Sequence, residues 1–194
     1  GEYAIAGGTD ITATTESGDS TRFSGVDCNG LAALDESTLA CLTLDSASFT
    51  QSVRLLHLES GEIEDVGRVS EVHQQADIRK VEYPLVAGKS STLVTSLLVD
   101  VSNSNPGSEQ LMRRITLFDA GTEAVARYVD LPYDVDYAGE QGTTVPLLLS
   151  DGHLIVAAWG RFYGIQTSVG GLANSGMPRG LPFGGNENRG YTKS

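Results

Sequence analysis

Hard oxygen ligands are densest at Asp134, Asp136 and Glu140, which stand with Gly139 in the run Asp130-Leu-Pro-Tyr-Asp-Val-Asp-Tyr-Ala-Gly-Glu140. Carboxylates this close together suit calcium, which takes about six to eight oxygens, once backbone carbonyls complete the shell. The run lacks the third Asp or Asn and the placed Gly of a helix–loop–helix calcium loop. Calcium is the candidate metal, and no other cofactor is expected. Without a metal the run is a solvated connection. Tyr133 and Tyr137 then become candidate partner contacts, because aromatic side chains are enriched where proteins recognise one another.

Other chemistry-bearing residues are less well set. The histidines are His57, His73 and His153, and no two are spaced to bind one metal from a single element. A zinc site needs three or four converging ligands, so each is read alone as a strand or turn residue. Ala87-Gly-Lys-Ser-Ser91 resembles the end of a phosphate-binding loop, but Tyr83 stands where the first Gly belongs, and Thr92 opens a strand rather than a helix. Ser17-Gly-Asp-Ser20 and Asp45-Ser-Ala-Ser48 have the residues of nucleophile motifs without the strand, sharp turn and helix of a nucleophile elbow. No catalytic residue is assigned.

Only two cysteines occur, Cys28 and Cys41, placed almost symmetrically about the turn Leu34-Asp-Glu-Ser37. Paired across a hairpin they would form a disulfide, which fits an exported protein. The alternative is two small buried thiols.

The elements that position these residues come in a unit that occurs twice, at Thr38 to Ser70 and at Thr92 to Pro132, and opens again at His153. Each copy is an apolar strand, a polar connection and an alternating strand; in the full copies a turn at Gly61 or Gly121 leads to a further strand. A short apolar strand precedes each copy: Gly30-Leu-Ala-Ala-Leu34, Tyr83-Pro-Leu-Val-Ala87 and Val145-Pro-Leu-Leu-Leu149. The inner and middle strands are expected at Leu31 to Leu34, Leu39 to Leu44, Val81 to Val86, Leu93 to Val101, Val145 to Leu149 and Leu154 to Trp159. The segment Tyr3 to Asp27 reads as two short strands in a hairpin, and Val69 to Lys80 as a loop or single turn with too thin an apolar stripe for a helix.

Strand, turn, strand, loop, strand, turn, strand resembles a β-propeller blade over about Cys28 to Gly171, without a Trp-Asp signature. The expected fold is all-β with about three antiparallel, propeller-like blades; the alternative is a β-sandwich. Residues 1–27 would be a partial blade or N-terminal hairpin, 28–171 the repeat region, and 172–194 a Gly, Pro and Asn-rich tail. The tail carries Phe183 and Tyr191, two further candidate partner contacts. Propellers typically close with about four to eight blades, so the chain is expected either to belong to a longer polypeptide or to pair with another chain, a second copy included, that covers the Tyr3 to Thr15 edge and the Arg161 to Val169 edge.

The chain has 25 acidic against 13 basic residues and a formal net charge of −12. That balance repels phosphate backbones and anionic lipid heads, which argues against nucleic acid and membrane partners. No apolar run approaches the roughly 20 residues of a membrane helix. The start Gly1-Glu-Tyr-Ala-Ile5 lacks the features of a signal peptide, so the chain is expected to be mature, trimmed or cut from something larger. Acidity and the cysteine pair point to a secreted, periplasmic or cell-surface setting. Two functions follow from these expectations. One is a non-catalytic module that binds protein through loops on a β scaffold. The other is an exported propeller hydrolase, similar to a lactonase, with a metal at the propeller axis. No cluster of His and carboxylates falls at equivalent loops of successive units, which favours the binding module.

Overall fold

The structure is a computed structural model, and it describes residues 3–7, 10–14, 18–35, 37–45, 47–48, 50–69, 77–81, 86–88, 91–101, 110–122, 124–132, 146–158 and 161–169. Among the described residues fifteen strands fall into four antiparallel sheets, each built from strands adjacent in sequence. The first sheet is β1 (Tyr3–Gly7), β2 (Asp10–Thr14) and β3 (Ser20–Ser24). The second is β4 (Gly30–Ala33), β5 (Thr38–Asp45), β6 (Thr50–His57) and β7 (Ile63–Arg68). In the third, β8 (Asp77–Val81) and β9 (Val86–Ala87) both pair with β10 (Thr92–Asp100), followed by β11 (Leu111–Asp119) and β12 (Ala124–Pro132). The fourth is β13 (Leu147–Leu148), β14 (His153–Ala158) and β15 (Arg161–Gln166).

The repeat in the sequence is therefore a repeat of whole sheets, and one pair of backbone hydrogen bonds marks it three times. Where β4, β9 and β13 turn into β5, β10 and β14, an amide donates across the turn to the carbonyl four residues on. The pairs are Leu34 to Thr38 at 3.0 Å, Gly88 to Thr92 at 2.7 Å and Leu149 to His153 at 2.8 Å. Where the third strand ends, an amide donates back to the residue just before the second strand. Here the pairs are Leu58 to Ser37 at 2.7 Å, Ala120 to Ser91 at 3.0 Å and Thr167 to Gly152 at 3.1 Å. The turn residues Ser91 and Gly152 have φ of 58° and 88°. A side chain at 152 would also place its Cβ 2.5 Å from the Val169 carbonyl oxygen, so glycine is required there.

Consecutive sheets pack face to face, and strand alternation divides the core into layers. Ile11, Ala13 and Phe23 of the first sheet meet Leu31, Leu39, Cys41 and Leu56 of the second. The opposite face of the second, with Ala32, Ala40, Leu42 and Val53, meets Leu93 and Phe118 of the third. The far face of the third, with Val94, Ile115, Leu117 and Leu131, meets Leu148, Leu154 and Val156 of the fourth. β4 and β9, the leading strands of the second and third sheets, are neighbours.

This is the all-β, blade-like architecture expected, and the copies do not merge into the two continuous sheets of a sandwich. Two local expectations change. The N-terminal sheet has three strands rather than two, because Tyr3–Gly7 pairs with β2 along its whole length. Asp77–Val81, within the stretch expected to be a loop or single turn, is a strand: it pairs with β10 from Leu97 to Asp100 across a register shift between Leu98 and Val99. That pairing overrides its charged composition. Among the described residues no helix is long and apolar enough to cross a membrane.

Candidate functional site: the outward face of the last sheet

Several expected site residues fall outside the described residues: Asp134, Asp136, Glu140, Tyr133, Tyr137, Phe183, Tyr191 and His73. Among the described residues no group of three or more His, Cys, Asp or Glu side chains gathers to hold a metal. His57 lies 3.1 Å from Glu64 on the exposed edge of the β6–β7 hairpin, and His153 lies 3.0 Å from Asp151 beside the β13–β14 turn. The amide of His153 also donates to Asp151, and this holds that carboxyl below the usual range. Both histidines thus serve local turns.

Cys28 and Cys41 are joined, with Cα atoms 5.5 Å apart, a separation typical of disulfides. Cys28 lies just before β4, and Cys41 is in β5, opposite Leu31. The bridge therefore sits in the layer between the first and second sheets rather than directly across the hairpin.

One buried polar cluster lies between the second and third sheets. The Gln51 amide donates to Thr95 Oγ1 at 2.7 Å and to the Ser96 carbonyl at 3.2 Å. Further along that face, Arg114 forks onto Asp130 with bonds of 2.7 and 2.8 Å and lies 4.0 Å from the centre of the Tyr128 ring. Asp130 raises the affinity of the guanidinium for its proton, so the pair is a fixed ionic clasp between β11 and β12. Everything in this cluster ties strands to one another.

The outward face of the fourth sheet is different. With Leu148, Leu154, Val156, Tyr163 and Ile165 turned to the third sheet, alternation turns Leu147, Ile155, Ala157, Phe162 and Gly164 the other way, together with His153 and Gln166 next to the β13–β14 turn. Cross-strand register puts Leu147, Ile155 and Gly164 in one row and Ala157 and Phe162 in the next. Aligning the sheets through Leu39, Leu93 and Leu154 gives these positions counterparts in the interior. Ala157 and Phe162 correspond to Leu42 and Val53 in the second sheet, and to Ser96 and Ile115 in the third. Val53 and Ile115 are each 1% exposed, whereas Phe162 is 82% exposed and Leu147 43%. The sequence points to Arg161 to Val169 as an end that another chain would cover, but it does not single out Phe162, because alternate apolar residues look the same whether or not another sheet covers them.

No family model matches this sequence, and no curated protein does. Among solved structures the chain is similar to Pyrococcus horikoshii acylaminoacyl peptidase in an orthorhombic crystal form, at 10% identity and a TM-score of 0.46, over 84% of this chain and 28% of that one. It is also similar to an acylaminoacyl peptidase in complex with Z-Gly-Gly-Phe-chloromethyl ketone, at 11% identity and a TM-score of 0.46, over 83% of this chain and 28% of that one. The chain thus spans 28% of the length of each peptidase chain. Its class rests on its own sheets: it is an all-β protein of stacked, antiparallel, blade-like sheets.

Proposed function

We propose that the chain is a non-catalytic, exported binding module whose sheet stack presents an apolar face to another protein. The observation that supports this reading is the exposure of Phe162, at a position whose counterparts Val53 and Ile115 are sealed between sheets. Covering one Phe side chain contributes about 2 kcal/mol, so a partner that seals this face gains from it directly. The Cys28–Cys41 bridge supports an oxidising compartment. The other reading, a propeller hydrolase with an axial metal, has no described residues gathered for it.

The test is dye binding at high dilution. A neutral solvatochromic dye such as Nile red is expected to bind the wild type and to be lost in Phe162→Asp. The unfolding free energy should change by less than about 0.5 kcal/mol, as for an exposed site. A wild type that binds no dye, or a variant that unfolds, would mean that the face is already covered and belongs to the core.

A further inference from the structure

We infer that the outward face of β13–β15 is the contact between two copies of this chain, packed sheet to sheet about a twofold axis. The inference rests on the binding-face reading above and names the partner. The first support is continuity: three sheet-to-sheet interfaces precede this one, and the exposed positions are those at which the second and third sheets bury side chains against the next sheet. The second is shape. Gly164 stands where the second and third sheets carry Leu55 and Leu117, and Phe162 where they carry Val53 and Ile115. Bulk has moved from one position to its neighbour on the same face, leaving a knob beside a hollow. A Cβ built on Gly164 would meet nothing nearer than Ile155 Cδ1 at 3.9 Å, so the hollow has room. A twofold axis lying between the faces and crossing β15 at Tyr163 sets Phe162 over the partner's Gly164, and the reverse. A sheet with ordinary Val and Leu at these positions would leave the hollow empty.

The third support is charge. In a chain with net charge −12, the rows Leu147–Ile155–Gly164 and Ala157–Phe162 contain no ionisable group. Two copies can therefore meet over these two rows without burying a carboxylate, with the exposed His153–Asp151 pair in the adjoining row at their margin. Over the described side chains of β2 and β3, the opposite end of the stack is a poorer counterpart. On β2 and β3 the outward residues are Asp10, Thr12, Thr14, Ser20, Arg22 and Ser24, with Asp10 and Arg22 ion-paired. Head-to-tail growth would desolvate that pair, which favours closure at two.

Light scattering on the purified chain at tens of micromolar tests this. The expected mass is twice the 20.5 kDa chain mass, falling to one chain on dilution. Phe162→Asp is expected to weaken the dimer roughly 30-fold or more, as a central aromatic contact does. Gly164→Leu, which fills the hollow without adding charge, is expected to weaken it as well, with unchanged circular dichroism. A wild-type monomer that still binds Nile red would overturn the dimer and leave the binding-face reading standing. A wild-type monomer that binds no dye would overturn both. A dimer indifferent to Phe162→Asp, or a series of larger species, would also overturn the inference.

Discussion

The two ends of the sheet stack are built from the same antiparallel element and finished in opposite ways. On the first sheet, alternation in β2 and β3 places Ile11, Ala13 and Phe23 inward and only polar side chains outward. There Thr14 and Ser20 share a hydroxyl hydrogen bond of 3.0 Å, and Arg22 pairs with Asp10, which holds the Asp10 carboxyl below its usual range. On the fourth sheet the inward face is apolar and covered, while the outward face carries Leu147, Ile155, Ala157 and Phe162 beside a polar row at His153 and Gln166. A polar face can end a stack in water, whereas an apolar one carrying Phe162 calls for a further surface. Over the described side chains, the difference supports the proposed recognition at the fourth sheet.

The most forceful way to break the contrast is to make the polar end apolar. Thr12→Leu combined with Arg22→Leu gives the first sheet an apolar outward patch and leaves Asp10 without its partner. The expected outcome is open-ended assembly, seen as light scattering that rises with concentration instead of levelling at a dimer. If the double variant stays dimeric, the polar finish does not limit assembly.

Two perturbations, one chemical and one by substitution, test what holds the ends in place. The Cys28–Cys41 bridge lies in the layer under the polar end. Unreduced mass spectrometry should find the pair oxidised, and reduction should lower stability by about 3 kcal/mol, the value for closing a short loop; readily alkylated thiols in the native protein would contradict this. At the apolar end, Gly152→Ala forces a side chain onto a backbone with φ of 88° and against the Val169 carbonyl. A loss of about 2 kcal/mol is expected, concentrated in faster amide exchange along β14 and β15.

Smaller effects follow from electrostatics. Raising salt from low to moderate concentration should tighten the dimer by about threefold or less, because it screens repulsion between two chains of net charge −12. Acid should act at the other end. Hydrogen bonding from Arg22 lowers the Asp10 pKa in the folded state, so the pair contributes stability above the unfolded value of about 4. That contribution is lost as pH falls through the folded value. The β2–β3 amides should therefore loosen below about pH 4 in the wild type, and Asp10→Asn should remove the pH dependence.

The strand order was legible in the sequence because alternation and Gly turns are local signals. Leu39 to Leu44 falls within β5, and Leu93 to Val101 nearly coincides with β10. β8 was hidden because Asp77, Arg79 and Lys80 break the apolar alternation, and only its pairing with β10 makes it a strand. The cysteine pair was foreseen from its symmetry about a turn, but its place in the layer between two sheets follows from stacking. The acidic loop and the tail, where the sequence put its binding residues, lie outside the described residues. The bare end at Arg161 to Val169 follows from the count of blades, but Phe162 itself was out of reach, since it alternates in β15 as Val53 does in β6, and only the third dimension shows which of them has a neighbour.

Hydroxyl-radical footprinting across a concentration series tests the central claim, because it compares both ends of the stack in one sample. Oxidation of Phe162 and Leu147 should fall as the protein concentration passes through the assembly transition, while oxidation of Arg22 stays constant. Constant oxidation of Phe162 through that transition, or protection of Arg22 in its place, would contradict the assignment of recognition to the fourth sheet.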